Sequence, residues 1–101
     1  DLMRPALYGA IHRTLPVIKS NKISNKTYEF VGPICESTDK FLTKKNFQKL
    51  KEKDLIAICD VGAYGMSLSS NYNLRPRAAE LLIKNSKIKI ISKRQSLKDL
   101  I

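Results

Sequence analysis

The hydrophobic and polar positions along the chain alternate over short stretches, which predicts strands rather than long helices. Segment 27–35 is rich in β-branched and aromatic residues and places Tyr28, Phe30 and Ile34 in one alternating set. This pattern predicts a strand that the Gly-Pro pair before Ile34 bends or leaves at a sheet edge. Residues 54–63 are apolar almost throughout until an aspartate, which predicts a buried strand that stops at a glycine.

The C-terminal third carries a hairpin pattern. Residues 77–94 have two apolar arms around Asn85-Ser86, and lysines alternate with isoleucines in the second arm. We therefore expect a β-hairpin whose second strand exposes one face, followed by a short helical end at 96–101 with Ser96 as its N-cap. The other segments predict a helical turn before Gly9, a short strand at 15–19, a polar turn at 20–26, a loop with a helical turn at 40–53 and irregular chain at 64–73.

These elements predict a mainly β fold, a small antiparallel β-barrel or sandwich-like domain with short helical segments. The 101 residues are enough for one small domain, 1–101, and too few for two. No apolar run approaches the roughly 20 residues that cross a bilayer, so a membrane partner is not expected. The chain opens with Asp1 and has no initiator Met, and we expect a fragment or a processed chain.

The charge is strongly basic, with a formal net charge of +10 at pH 7. Such a charge is typical of proteins that bind polyanions. The lysines, however, fall mainly in three stretches, 19–26, 40–53 and 84–98, with few aromatic residues between them and no nucleic-acid motif. A lysine-rich solvated surface is therefore the favoured interpretation, and no nucleic-acid partner is expected.

The cysteines give no metal signature. Cys35 and Cys59 lack the spacing of metal ligands, and His12 is the only histidine. We expect two reduced cytoplasmic thiols, with Cys59 packed in a strand, and no metal site. Cys35 beside Glu36 is a weak signal by itself, because a lone cysteine at a strand end is more often a small core residue than a nucleophile or acid.

One further pair of candidates and one single residue are equally ambiguous when taken alone. Arg4 and Tyr8 lie four residues apart and share a face if their turn is helical, which usually reflects packing. Tyr64, which follows Gly62 and Ala63, is similarly ambiguous.

Four long motifs taken together change this picture. They occur in the order DLMRPALYGAIH, VGPICESTD, DVGAYGMSLSSNYNLRPRAAE and SLKDLI. In this set the chain resembles the C-terminal portion of the diaminopimelate decarboxylases, pyridoxal-phosphate enzymes of the alanine-racemase-like fold family. The resemblance runs from residue 1 to residue 101 and is weakest at 17–26 and 40–53.

The resemblance implies a fold, an activity and partners. Family members join an N-terminal β/α barrel to a C-terminal β domain, so residues 1–12 would form the junction with a missing barrel. They use pyridoxal 5'-phosphate to convert meso-2,6-diaminopimelate into L-lysine and carbon dioxide, the last step of lysine biosynthesis. They act as a homodimer with active sites at the interface. The Schiff-base lysine belongs to the barrel, so none of the lysines here is expected to fill that role, and the chain alone is expected to be inactive.

The resemblance also implies roles for five residues. The arginine and tyrosine of RPALY, which bind substrate, correspond to Arg4 and Tyr8. The cysteine of CES, the proton donor, corresponds to Cys35, and the next residue, Glu36, to a substrate-binding glutamate; both are donated to the partner's barrel. The tyrosine of GAYG, which touches cofactor and substrate, corresponds to Tyr64.

These residue types suit that chemistry. An ordinary thiol has a pKa of about 8.5, so it can give and regain a proton near neutral pH. An arginine can clamp a carboxylate with two hydrogen bonds, and Glu36 can pair with an ammonium group. Two alternatives stay open: an ornithine- or arginine-type decarboxylase of the same family, and a non-catalytic basic domain that binds anions or nucleic acid.

Overall fold

Short antiparallel strands and 3-10 turns make up the computed structural model, which describes residues 3–101. The strands form three separate two-stranded sheets, in which β1 pairs with β4, β2 with β3 and β5 with β6. The strands are β1 (Thr14–Pro16), β2 (Tyr28–Val31), β3 (Lys40–Lys44), β4 (Ile56–Ile58), β5 (Glu80–Lys84) and β6 (Lys87–Ser92), and the 3-10 helices are η1 (Pro5–Leu7), η2 (Tyr72–Leu74) and η3 (Leu97–Leu100). The predicted mainly β fold with short helical segments is confirmed, and the sheets of residues 3–101 do not close into a barrel.

The core is small and lies against β2. Phe30 and Phe47 are buried and pack edge to face, with ring centroids 5.0 Å apart. Tyr28 lies edge-on to Phe47 at 6.2 Å, and Ile34 is buried as well. The alternating set predicted for 27–35 therefore does turn one side towards the core, although the strand itself ends at Val31.

Residues 40–53 differ from the expected loop with a helical turn. Their first part is strand β3, which pairs with β2 in the register Phe30↔Leu42, and Gln48 then bridges to Ile23. The lysines of this stretch suggest solvated loop, but alternate polar side chains are what a two-stranded sheet with one exposed face requires. The partner strand, β2, ends at Val31, and the loop that joins it to β3 carries no two-residue hairpin signal, so the local pattern did not reveal the pairing.

Residues 54–63 also differ from the buried strand that their apolar run predicts. Only β4 is extended, and Ile56 remains 36% exposed while Ala57 and Ile58 are half-buried. Cys59, expected within the strand, follows its end. The run is apolar enough for a buried strand, but within residues 3–101 it meets β1 as its one strand neighbour.

The predicted C-terminal hairpin and capped helical end are confirmed, but the expectation that the second strand exposes one face is wrong, because every residue of β6 is exposed. β5 and β6 form an antiparallel hairpin, and both turn residues, Asn85 and Ser86, have positive φ angles of 51° and 60°. Two positive φ values are the geometry of a type I′ turn, which suits the twist of a two-stranded ribbon. Ser96 caps η3 through a capping box with Asp99. The Ser96 N–H and hydroxyl donate to the Asp99 carboxylate and lower its pKa below the usual value.

The N-terminal segment and the irregular stretch also follow expectation. The helical turn before Gly9 is η1, and 64–73 is mostly turns until η2 begins. The strand expected at 15–19 is β1, which is shorter and shifted towards the N-terminus. Of the predicted junction 1–12, the first two residues lie outside the described part of the chain. Across residues 3–101, no helix is long and apolar enough to cross a membrane.

Candidate functional site

Arg4 and Tyr8 flank the first 3-10 helix. Arg4 is its N-cap and adopts left-handed backbone angles, φ 52° and ψ 57°, instead of the extended geometry that the following proline favours. The Leu7 N–H donates to the Arg4 carbonyl at 3.0 Å, and the Tyr8 N–H donates to the carbonyl of Pro5, which is buried. The tight turn fixes the backbone on both sides and therefore positions the two side chains.

Arg4 forms an ion pair with Glu36 of the same chain. Its Nε lies 3.3 Å from Glu36 Oε1, and the two side chains are 40% and 32% exposed. The Nε atom is itself buried and makes no aligned hydrogen bond within the described residues, so the contact is ionic. The same Glu36 oxygen accepts a hydrogen bond from the Thr38 hydroxyl, which holds the carboxylate in place.

Cys35 and Glu36 lie on a tight turn that closes between Gly32 and Asp39. The Gly32 N–H donates to the Asp39 carbonyl at 2.8 Å, and the Ile34 N–H donates to the buried Asp39 carboxylate at 2.9 Å. A side chain at Gly32 would overlap that carboxylate, so only glycine fits. Gly32, Pro33 and Asp39 together form the bend, and the bend carries both Cys35 and Glu36.

Cys35 is exposed and reduced. The side-chain amide of Asn73, in η2, donates weakly to its sulfur at 3.9 Å. The thiol is therefore open to an incoming group and is not a small core residue.

Tyr8 and Tyr64 stack on each other. Their ring centroids lie 4.0 Å apart at an interplanar angle of 16°, and Tyr64 is 42% exposed. Burial raises the pKa of the Tyr8 phenol above its usual value, and the nearby Tyr64 raises it further. Tyr8 therefore stays a neutral phenol at physiological pH, with its ring plane set by its neighbour.

The predicted residues thus meet in two contact groups. Arg4 joins Glu36, Tyr8 joins Tyr64, and η1 connects the two groups, while Cys35 stands next to Glu36 on its turn. Both Cys35 and Tyr64 are accessible from outside, as a shared site requires.

Sequence reasoning missed His12 and Asn73. His12 is buried and hydrogen-bonds Tyr8, and its place four residues after that tyrosine was the available signal. Asn73, the neighbour of Cys35, had no local signal because η2 lies far from the cysteine in sequence. In the part of the chain with assigned positions, no group of three or more His, Cys, Asp or Glu residues could hold a metal ion.

Comparison with known proteins gives consistent results. The family model described as "Pyridoxal-dependent decarboxylase, C-terminal sheet domain" matches residues 1–62. The diaminopimelate decarboxylase of Archaeoglobus fulgidus is 43% identical over 100 residues, covering 99% of this chain and 24% of that protein. The corresponding protein of Neisseria meningitidis serogroup B is 45% identical over 97 residues, covering 96% and 23% of the two chains.

Solved structures agree with these relatives. Diaminopimelate decarboxylase from Helicobacter pylori, complexed with L-lysine, superposes with a TM-score of 0.82 at 45% identity, covering 99% of this chain and 24% of that one. The M. jannaschii structure, also in complex with L-lysine, gives a TM-score of 0.84 at 35% identity and covers 99% and 23%. The chain thus spans about a quarter of the length of the relatives that it matches.

Proposed function

Because the chain belongs to the pyridoxal-dependent decarboxylases and carries their C-terminal sheet domain, we propose that it is the C-terminal part of a diaminopimelate decarboxylase. The complete enzyme would convert meso-2,6-diaminopimelate into L-lysine and carbon dioxide in the cytoplasm. The observation that carries this proposal is the ion pair between Arg4 and Glu36, because it joins two motifs that the family uses for substrate binding.

An arginine beside a glutamate complements an amino-acid group. The distal end of diaminopimelate carries a carboxylate and an ammonium group on the same carbon. Arg4 would take the carboxylate through its planar guanidinium, and Glu36 would take the ammonium group. The substrate carboxylate then replaces Glu36 as the partner of Arg4, and the substrate ammonium group replaces Arg4 as the partner of Glu36. No buried charge is left without a partner.

Cys35 would deliver the proton. Pyridoxal phosphate, when bound, supplies the electron sink for the charge that remains after carbon dioxide leaves. The carbon that lost carbon dioxide then needs a proton on one face, and Cys35 would give the one on its sulfur. The accessible thiol on a hydrogen-bonded turn supports this role, since a proton donor must be held in reach of the reacting atom.

Tyr64 is the residue of this chain that would contact the cofactor. Its phenol is 42% exposed and is held flat against Tyr8. An exposed aromatic hydroxyl on a fixed ring fits a phosphate-bearing cofactor, to which it can donate a hydrogen bond. The residues described here therefore fit pyridoxal phosphate as one wall of its site, with the Schiff-base lysine supplied by a barrel outside this chain.

The exposed apolar hairpin supports a larger protein. Isoleucines and leucines on β5 and β6 are 46–70% exposed, which is unusual for a finished surface. The relatives are about four times as long as this chain. We therefore assign the cover of the hairpin to the rest of the same polypeptide, with an N-terminal barrel and a homodimer completing the site.

An assay of the full-length protein with pyridoxal phosphate tests the proposal. We expect carbon dioxide and L-lysine from meso-diaminopimelate, and at most slow turnover of ornithine or arginine. Preferential turnover of ornithine or arginine would instead favour the other branch of the family. Inactivity on all three, together with DNA affinity that falls steeply with salt, would favour the basic binding domain.

A further inference from the structure

His12 is a buried titratable residue with no place in the mechanism above. His12 is only 3% exposed, and both nitrogens of its ring have hydrogen-bond partners. Nδ1 lies 3.1 Å from the Cys59 carbonyl oxygen, and Nε2 lies 3.0 Å from the Tyr8 hydroxyl. The ring thus links β4 and its following loop to the tyrosine that flanks η1.

The two partners determine where the protons lie. A carbonyl oxygen can only accept, so Nδ1 must carry a hydrogen. Both partners, the Cys59 carbonyl and the Tyr8 hydroxyl, are uncharged groups. A neutral imidazole has one N–H, so in that form Nε2 offers a lone pair and the Tyr8 hydroxyl must donate to it.

This direction of the hydrogen bond limits what the Tyr8 hydroxyl can do with a ligand. Its single hydroxyl hydrogen points at His12, so its oxygen can only accept from a bound molecule. The stacked Tyr64 ring, 4.0 Å away, keeps the phenol in this orientation. An acceptor suits an ammonium group and repels a carboxylate.

We propose that His12 is a positioning residue that holds the Tyr8 hydroxyl as a hydrogen-bond acceptor, so that Tyr8 selects the distal ammonium group of the substrate. The inference rests on the proposed function. It divides recognition of the distal end between Arg4 for the carboxylate and Tyr8 with Glu36 for the ammonium group.

A pair of substrates separates this role from a structural one. Meso-diaminopimelate carries the distal ammonium group, whereas D-2-aminopimelate keeps the reacting centre and the distal carboxylate but lacks it. In the full-length enzyme with pyridoxal phosphate, we expect Tyr8→Phe and His12→Asn each to lower the kcat/KM preference for diaminopimelate about tenfold, the usual scale of one hydrogen bond. Most of the change should appear in KM. The asparagine amide can keep the bond to the Cys59 carbonyl while losing the bond to Tyr8.

The double variant supplies the decisive comparison. If His12 acts through the hydroxyl, His12→Asn added to Tyr8→Phe should cause no further loss of preference. His12→Gln, whose amide oxygen can accept from Tyr8, should restore part of it and serves if the asparagine variant does not fold. An unchanged preference in single variants that fold, or an additive loss in the double variant, would overturn the inference. A wild-type enzyme that does not decarboxylate diaminopimelate would instead overturn the proposed function.

Discussion

The ion pair between Arg4 and Glu36 contributes little to the stability of the fold and can be replaced by ion pairs with a substrate. Its two side chains are 40% and 32% exposed, and ion pairs with this degree of solvent contact contribute about 0–1 kcal/mol. Losing the pair therefore costs the fold little, and substrate charges can replace it. Arg13 and Asp60 form a comparable but more exposed pair at 3.7 Å, with 64% and 67% of their side chains exposed.

Arg4→Ala should raise the KM of the full-length enzyme for diaminopimelate about 10- to 100-fold, because hydrogen bonds to a charged group contribute roughly 1.5–3 kcal/mol. Steady-state kinetics measure the effect. Arg13→Ala removes an exposed arginine from the other ion pair and should leave KM within about twofold. A KM that is the same for both variants would remove Arg4 from substrate binding.

Cys35→Ala should lower kcat about 10²- to 10⁴-fold, the range for loss of a general acid, with the cofactor still bound. Cys59→Ala is the matched control, since Cys59 is half-buried and lies outside the proposed proton path. Turnover numbers and the visible absorbance of bound pyridoxal phosphate give the two readouts. Wild-type turnover in Cys35→Ala would exclude the thiol as the proton donor.

The turn 32–39 holds both Cys35 and Glu36 in position. Asp39 is 2% exposed and accepts the Ile34 N–H, while its backbone closes the turn with Gly32. Its other carboxylate oxygen has no hydrogen-bond partner within the described residues. The element is therefore closely packed around a carboxylate, and it tolerates little change on the side that faces Gly32.

Gly32→Ala should destabilise the full-length protein by about 1–3 kcal/mol, the usual cost of overpacking a filled site, and should also lower kcat by displacing Cys35. Its added methyl group would meet the Asp39 carboxylate. Gly62→Ala is the control, because a Cβ there has nothing within 4 Å. Denaturant midpoints and kinetics compare the two. Equal stability of both variants would show that the packing around Asp39 does not constrain the turn.

At the scale of the whole molecule, the hairpin is one part of residues 3–101 whose large apolar side chains stay exposed. Leu81, Ile83 and Ile88 are 53%, 70% and 67% exposed. Fully burying an isoleucine or leucine side chain contributes about 1.5–3 kcal/mol. Burial of this surface would therefore stabilise the protein considerably, and residues 3–101 do not provide it.

Ile83→Lys should lower the free energy of unfolding of the full-length protein by about 2 kcal/mol or more, because it would place a charge under the covering polypeptide. Lys84→Ala, the next residue of β5, is the control and should change it by less than about 0.5 kcal/mol. Chemical denaturation measures both. If Ile83→Lys is as neutral as its control, the hairpin is not covered by the rest of the protein.

The 101-residue chain by itself should show neither decarboxylase activity nor the visible absorbance of bound pyridoxal phosphate. The residues assigned here would form one wall of the site, and the proposed cofactor lysine would lie on a barrel outside this chain. Spectra and assays of the purified chain beside the full-length protein test this. A cofactor band in the isolated chain would contradict the division of the site.

Sequence by itself determined the family, the mainly β class, the C-terminal hairpin and its turn, and the capped end at Ser96. These features depend on motifs and on neighbours a few residues apart, such as Asn85-Ser86, which local chemistry encodes. It also named Arg4, Tyr8, Cys35, Glu36 and Tyr64 as candidates, because their motifs are long and specific.

Only the tertiary structure decided which of these residues meet. The pairing of β4 with β1, the ion pair of Arg4 with Glu36 and the contact of Asn73 with Cys35 each depend on how separate segments pack. The apolar run at β4 shows the limit most clearly, since its hydrophobicity predicts burial but the number of neighbouring strands determines how much is achieved. Contacts between distant segments are set by the packing of the whole chain, and a local pattern carries too little information to specify them.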